Sequence, residues 1–255
     1  MQIIILDTET TGLQAPQACE IGFIELQGTV SDFKLTKVEN PISILKDNSI
    51  FISVYEQRFR PTKPIEAGAS KVTGIYMKDV LHCPSITTFE FPTTVKYMIG
   101  HNVAFDHRVL DKPDVKLICT KELAQLVFPK QDGLKSLKLT TLIEWLYPKE
   151  GKELVEKAHG ALLDCKLVFL VLHKILEKLP QIDTWEQLSS LCSQGKKTYE
   201  EMNKPVEAIT IMPFGKHQGA AIVNLPLTYL KWLLTLDNLS PPLRLAVQEE
   251  LDSRK

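Results

Sequence analysis

Residues Ile3 to Leu13 read IIILDTETTGL. Four consecutive aliphatics, Ile3 to Leu6, are the pattern of a strand covered on both faces. Buried strands should not carry acids, yet Asp7 and Glu9 stand at the end of this one. Residues two apart in a strand point to the same side, so both carboxylates face the same way. Two like charges held that close require a positive partner.

The rest of the chain says what surrounds this strand. Ala18–Leu26 (ACEIGFIEL) alternates polar and apolar residues and predicts a second strand. Ile50–Arg60, rich in β-branched and aromatic residues, predicts a third. Gln27–Ser49 between them is polar and carries no assignable period. Pro61 and Pro64 end this meander. Tyr97–His101 reads as a short buried strand, and Asn102–Leu110 as a helix with Asn102 at its N-cap. Val115–Thr120 predicts another strand, followed by helical KELAQLVF. Leu134–Tyr147 is helical, and Gly160–Leu179 is a long apolar core helix. Strands in a meander, then strands alternating with helices, predict an α/β domain with a mixed sheet. After Pro180 the pattern changes: 181–206 reads as a connector with polar helical stretches. A compact new pattern starts at Ala208, ITIMPFGKHQGAAIVNLPLTYLKWLL being its body. The predicted division is 1–178, a linker over 179–206, and a small C-terminal module over 207–255.

Charge constrains the partner. The 255 residues hold 30 basic and 31 acidic side chains, net −1. Nucleic-acid binding therefore rests on local Lys/Arg clusters or metal ions rather than on a basic surface overall. The five cysteines are scattered, with no Cys-x-x-Cys pair, which points to a reducing compartment and a cytoplasmic protein. No leader pattern precedes the first strand, and no apolar run approaches the roughly 20 residues of a membrane span.

Asp7, Glu9, Asp106 and Asp164 fall at strand ends and helix starts, and His159 precedes the last long helix. Burial would raise the pKa values of such clustered carboxylates, and a divalent cation removes the conflict. Mg²⁺ prefers oxygen ligands and is held by a few carboxylates, with water and phosphate oxygens completing its shell. Two ions roughly 4 Å apart clamp the attacking and leaving oxygens of a phosphodiester. A histidine with near-neutral pKa, His159, suits a base that takes a proton from water.

At this point a resemblance becomes specific. DTETTGL, IGHNVAFDHRVL and HGALLDC, in that order, resemble the three motifs of the DEDDh 3'→5' exonucleases. The resemblance covers about residues 1–178 and implies an RNase H-like mixed five-stranded sheet flanked by helices. It implies Asp7, Glu9, Asp106 and Asp164 as ligands of two Mg²⁺ or Mn²⁺ ions, and His159 as general base. Thr11, Gly12 and Leu13 would meet the terminal nucleotide, and His101, Asn102 and Phe105 would line the substrate groove. ASKVTGI, Ala69–Ile75, resembles a family loop in which His is common where Thr73 stands. The tail, MPFGKHQGAAIVNLPLTYLKWLL, is similar to the C-terminal module of exonuclease X-like members of the family.

The expectation is a metal-dependent 3'→5' exonuclease on single- or double-stranded DNA, releasing nucleoside 5'-monophosphates. Short or single-stranded RNA is the alternative substrate. A catalytically dead nucleic-acid adaptor is the alternative of another class. Oligomeric state stays open. In the tail, Gly215, Lys216, His217 and Gly219 suit either an ordinary surface turn or a phosphate-binding one. Tyr229 and Trp232 suit either the module's core or a base-stacking surface.

Overall fold

The computed structural model describes residues 2–128, 133–156, 160–194, 209–236 and 239–254. Its contacts divide the chain into two units, Met1–Tyr199 and Glu200–Lys255.

The first unit is built on a five-stranded sheet: β1 Gln2–Thr10, β2 Ala18–Leu26, β3 Ser53–Arg58, β4 Val95–Gly100 and β5 Lys116–Cys119. Its order is β3-β2-β1-β4-β5. β2 runs antiparallel to β1 and β3, while β4 is parallel to β1 and β5 to β4. The aliphatic run of β1 is therefore central and buried, as its sequence predicts. Ile4 and Leu6 join Val103, Met98 and Phe59 in a core on one face. On the other face lies the helix Ala161–Glu177, every residue of whose Leu167–Leu172 stretch is buried. Replacing one of those leucines by alanine costs about 2–5 kcal/mol.

Ten helices of this unit surround the sheet among the described residues: α1 Val30–Leu35, α2 Pro41–Lys46, α3 Ala67–Thr73, α4 Met77–Val80, α5 Ala104–Val109, α6 Thr120–Val127, α7 Leu139–Leu146, α8 Gly151–Glu156, α9 Ala161–Glu177 and α10 Trp185–Gln194. The unassigned polar stretch 27–49 holds α1 and α2. Six residues are too few to show a helical period, so caps were the legible signal. Thr29 and Asp32 form a reciprocal capping box on α1, and the Asn40 side chain accepts from the Ile42 N–H on α2.

Three expectations change. Asn102 is not an N-cap: it takes a left-handed φ of 73°, which asparagine tolerates, and α5 starts two residues later. Ala69–Ile75 is no free loop, because α3 runs through it to Gly74, whose φ is 71°. The start of the expected linker is part of the first unit. Trp185, Leu188 and Leu191 are buried along one face of α10, which packs on β5 and α6.

The second unit has its own core of Met212, Ile222, Leu225, Leu230, Leu233, Leu243, Val247 and their neighbours. Helix α11, Leu227–Leu233, packs on α12, Pro241–Ser253. Among the described residues no helix is long and apolar enough to cross a membrane.

Candidate active site

Alternation along β1 puts Ile3, Ile5, Asp7 and Glu9 on one face. Cross-strand partners share a face, so the Asp7–Gly22 and Glu9–Glu20 pairs of the β1–β2 ladder stand there too. Helix α9 packs on β1 and β2 and carries Asp164 in its first turn. Its approach depends on Gly22. A Cβ at that position would lie 2.3 Å from the Leu162 backbone nitrogen and 2.5 Å from the Ala161 carbonyl carbon. The Cys165 thiol donates to the Gly22 carbonyl at 3.2 Å, holding the same contact from the helix side. Asp7, Glu9 and Asp164 are thereby brought together, with one carboxylate oxygen of each within 4.8 Å of the others.

Asp106 arrives from α5 and is buried. Its Oδ1 accepts two hydrogen bonds from the residue between the two strand acids: the Thr8 N–H at 3.1 Å and the Thr8 hydroxyl at 2.7 Å. Asp106 therefore stands beside the three-carboxylate group and is tied to the strand that bears it. His159 lies outside the described residues.

The electrostatics follow from this crowding. Burial, then the charges of Asp106, Asp164 and Glu9, hold the Asp7 carboxyl well above the usual carboxylate range. Glu9 is pushed up to about 7, by burial first and then by Asp164. Burial raises Asp106 to about 6, against the lowering effect of the Thr8 hydrogen bonds. Among the described residues, neither Asp7 nor Glu9 is in an ion pair with Lys or Arg. Converging oxygen donors that resist ionisation together are a donor set for a hard divalent cation, whose charge reverses the penalty.

The expected substrate residues divide. Leu13 is 81% exposed, an apolar side chain left in solvent at the edge of the site. Together with Gln17, Thr87 and Arg108 it lines an open groove of about 670 Å³. Phe105 is half-buried beneath the Arg108 guanidinium, 5.4 Å from its ring centre. Asn102 is exposed. Gly12 takes a φ of 153° that suits glycine. Thr11 and His101 are placed otherwise. Thr11 is fully buried, and its hydroxyl accepts from the Gln17 N–H at 3.2 Å. Both ring nitrogens of His101 are engaged, Nδ1 with the Thr120 hydroxyl at 3.0 Å and Nε2 with the Leu137 carbonyl at 2.7 Å. Burial pushes its pKa down to about 4, so the ring is neutral at pH 7 with Nε2–H donating to Leu137. The side chains of Thr11 and His101 are thus engaged within the protein itself.

Sequence reasoning passed over three residues here. Gly22 interrupts an apolar strand, which is a signal of close backbone approach. Thr8 sits between two acids. Glu20, directly across from Glu9, is buried: its Oε1 accepts from the Ala161 N–H at 3.0 Å and its Oε2 from the Arg58 Nε at 2.8 Å. It caps the first turn of the helix that carries Asp164, with Arg58 supplying the countercharge. An acid amid ACEIGFIEL was the visible cue.

A mixed sheet with carboxylates gathered at the end of its central strand defines the class, a metal-site nuclease fold. The chain belongs to the exonuclease family, whose profile it matches over residues 4–172. That family depends on divalent metal, and the acidic cluster fits the dependence. Residues 203–238 match a second family, described as "Putative quorum-sensing-regulated virulence factor". The chain is 28% identical to exodeoxyribonuclease 10 of Escherichia coli K12 over 98% of both chains. It is 26% identical to the 3'-5' exonuclease DinG of Bacillus subtilis over 74% of this chain and 19% of that one. Among solved structures it resembles exonuclease X in complex with 5'-overhanging duplex DNA, at 23% identity and a TM-score of 0.52, over 74% of this chain and 99% of that one.

Proposed function

We propose that this protein is a 3'→5' exodeoxyribonuclease that removes nucleoside 5'-monophosphates from the 3' end of single- or double-stranded DNA. The observation that carries it is the convergence of Asp7, Glu9 and Asp164 within 4.8 Å, on a chain of the exonuclease family. DNA is favoured by the likeness to exodeoxyribonuclease 10, which runs the length of both chains.

Asp7, Glu9 and Asp164 would hold one Mg²⁺ or Mn²⁺ ion, and Asp7 would share a second with Asp106 beside it. When bound, the cations supply positive charge to the phosphodiester oxygens and acidify the attacking water. His159, the family's general base by motif, takes the proton as the water oxygen bonds to phosphorus and the 3'-oxygen departs. Thr8 holds Asp106 in place through Oδ1. Leu13 wedges against the terminal base, Phe105 offers it a face, Gly12 lets the backbone approach, and Asn102 and Arg108 meet the strand's polar edge.

We assign the nuclease to the first unit and an accessory role to the second, and place the protein in the cytoplasm. All five cysteines are free, which suits a reducing compartment.

The test uses 5'-labelled single-stranded DNA and the matching RNA, each with Mg²⁺, with EDTA and with the Asp7→Asn variant. A ladder shortening from the 3' end on DNA, abolished by EDTA and by Asp7→Asn, is expected. Shortening of RNA alone would transfer the activity to RNA. No shortening of either, with binding intact, would leave a nucleic-acid adaptor.

A further inference from the structure

The second unit displays an aromatic edge for which the exonuclease chemistry has no use. Its loop turns at Gly215, φ 75°, into a 3-10 turn over Gly215–His217. The loop is closed on itself: the Gly219 N–H donates to the Met212 carbonyl at 2.9 Å and the Ala220 N–H to the His217 carbonyl at 3.0 Å. Those two amides are spent internally, on the loop's own closure. The His217 ring meets Tyr229 edge-on at 4.5 Å, and Tyr229 lies 5.3 Å from Trp232 at 33°. The three rings form a contiguous ladder from the loop along α11.

Trp232 is 48% exposed, while Leu230 and Leu233 beside it on the helix are fully buried. The indole is therefore not core, and Phe214 on the loop is 43% exposed as well. Along the described segment that carries these rings, charge has one sign. From Ile209 to Leu236 the sequence holds Lys216, His217 and Lys231 and no Asp or Glu. Lys216 and Lys231 are exposed, and among the described residues neither is in an ion pair. The described acids of the unit fall on α12, where Glu250 pairs with Arg254. Aromatic faces beside unopposed lysines suit a ligand with flat rings and a polyanionic backbone. Lysine is depleted at protein–protein interface cores, which weighs against a protein occupant.

We propose that the second unit binds single-stranded nucleic acid without reading sequence, with bases stacked on Tyr229 and Trp232 and phosphates met by Lys216 and Lys231. The choice of strand as ligand rests on the exonuclease reading. A strand held at a second point on the same chain returns to the cleavage site at an effective concentration in the millimolar range.

The full chain is titrated with an oligo(dT) strand in EDTA, where no cleavage occurs. Of the three tryptophans, Trp185 is buried at 2% exposure. Binding should quench tryptophan emission, and Trp232→Phe should diminish the quench while keeping affinity within a few-fold. Trp232→Ala should weaken binding by roughly tenfold, one stacked base. Lys216→Gln with Lys231→Gln should lower the slope of log affinity against log salt by about 1.4. All these side chains lie on the surface, so the fold is not at stake. Absence of binding, an undiminished quench in Trp232→Phe, or wild-type affinity and salt slope in the alanine and double lysine variants would overturn the proposal. Binding with these signatures but no cleavage in Mg²⁺ would overturn the exonuclease reading instead.

Discussion

Two surfaces of this chain are fitted to nucleic acid by opposite means. In the first unit the functional groups are acids sunk at the end of a central strand, Asp7 and Glu9 beside Asp164, with Asp106 tied to Thr8 through Oδ1. In the second they are rings and ammonium groups in solvent, on a segment without acids. A reacting centre has to be held against electrostatic repulsion by backbone geometry, so neighbouring residues such as Gly22 and Glu20 take part in holding it. A holding surface needs only exposure and charge of the right sign, and its neighbours are free to vary.

The sharpest way to test this contrast is to remove metal and vary pH. Glu9 is raised from 4.5 to about 7 and Asp106 from 3.8 to about 6, so the folded state favours their protonated forms. Below the unfolded values this costs nothing. As pH rises through 7 the folded acids must ionise against one another, and stability falls by about 3 kcal/mol for a shift like that of Glu9. In EDTA the melting temperature of the first unit should therefore drop between pH 5 and pH 8, and saturating Mg²⁺ should restore it. A melting temperature that is flat or rising without metal would mean the acids are not held in conflict.

Geometry comes next in size. Gly22→Ala places a methyl against the α9 backbone, so α9 and Asp164 must shift. A displacement near 1 Å is worth about 100-fold in kcat, measured on labelled single-stranded DNA. Unchanged kcat would show that the glycine only eases packing. Glu20→Ala strips the cap from Ala161 and leaves Arg58 unpaired, with an expected loss of roughly tenfold in kcat and about 1–3 kcal/mol of stability. Glu20→Gln should recover much of the kcat loss, because its side-chain oxygen still accepts from Ala161; a merely structural salt bridge to Arg58 would show no such rescue. Thr8→Val removes one of two bonds to Asp106 and should cost a few-fold in kcat with little change in melting temperature. The smallest change belongs to the second unit, where Lys216→Gln alone should shift the salt slope by about 0.7.

Much of this was legible in the sequence, unevenly. β2 was readable to the residue because apolar residues recur throughout Ala18–Leu26 and no proline interrupts them. The acids of the site were readable because carboxylates in apolar surroundings demand an explanation. Helices α1 and α2 were not, being shorter than two turns, although their caps spelled them out. Helix α10 was mistaken for connector because its polar face dominates the composition, while its burial rests on Trp185, Leu188 and Leu191. The supports of the site escaped for a different reason. Gly22 and Glu20 act through α9, more than a hundred residues on in the chain, and local pattern carries no mark of which distant backbone will arrive. The internal bonds of His101 and Thr11 escaped as well, because proximity in a motif does not say which atoms the protein itself has already used.

The contact between Gly22 and the start of α9 also orders events in time. The Cys165–Gly22 bond spans 143 residues, and the Thr8–Asp106 bonds span 98. Contacts of such separation form late in folding, after closure of long loops. A nascent chain that has not yet released α9 from the ribosome has Asp7, Glu9 and Asp106 but lacks the acid and the helix that complete their cluster. The carboxylate cluster is thus incomplete throughout most of the chain's synthesis, and it closes with the last long helix of the sheet-bearing core.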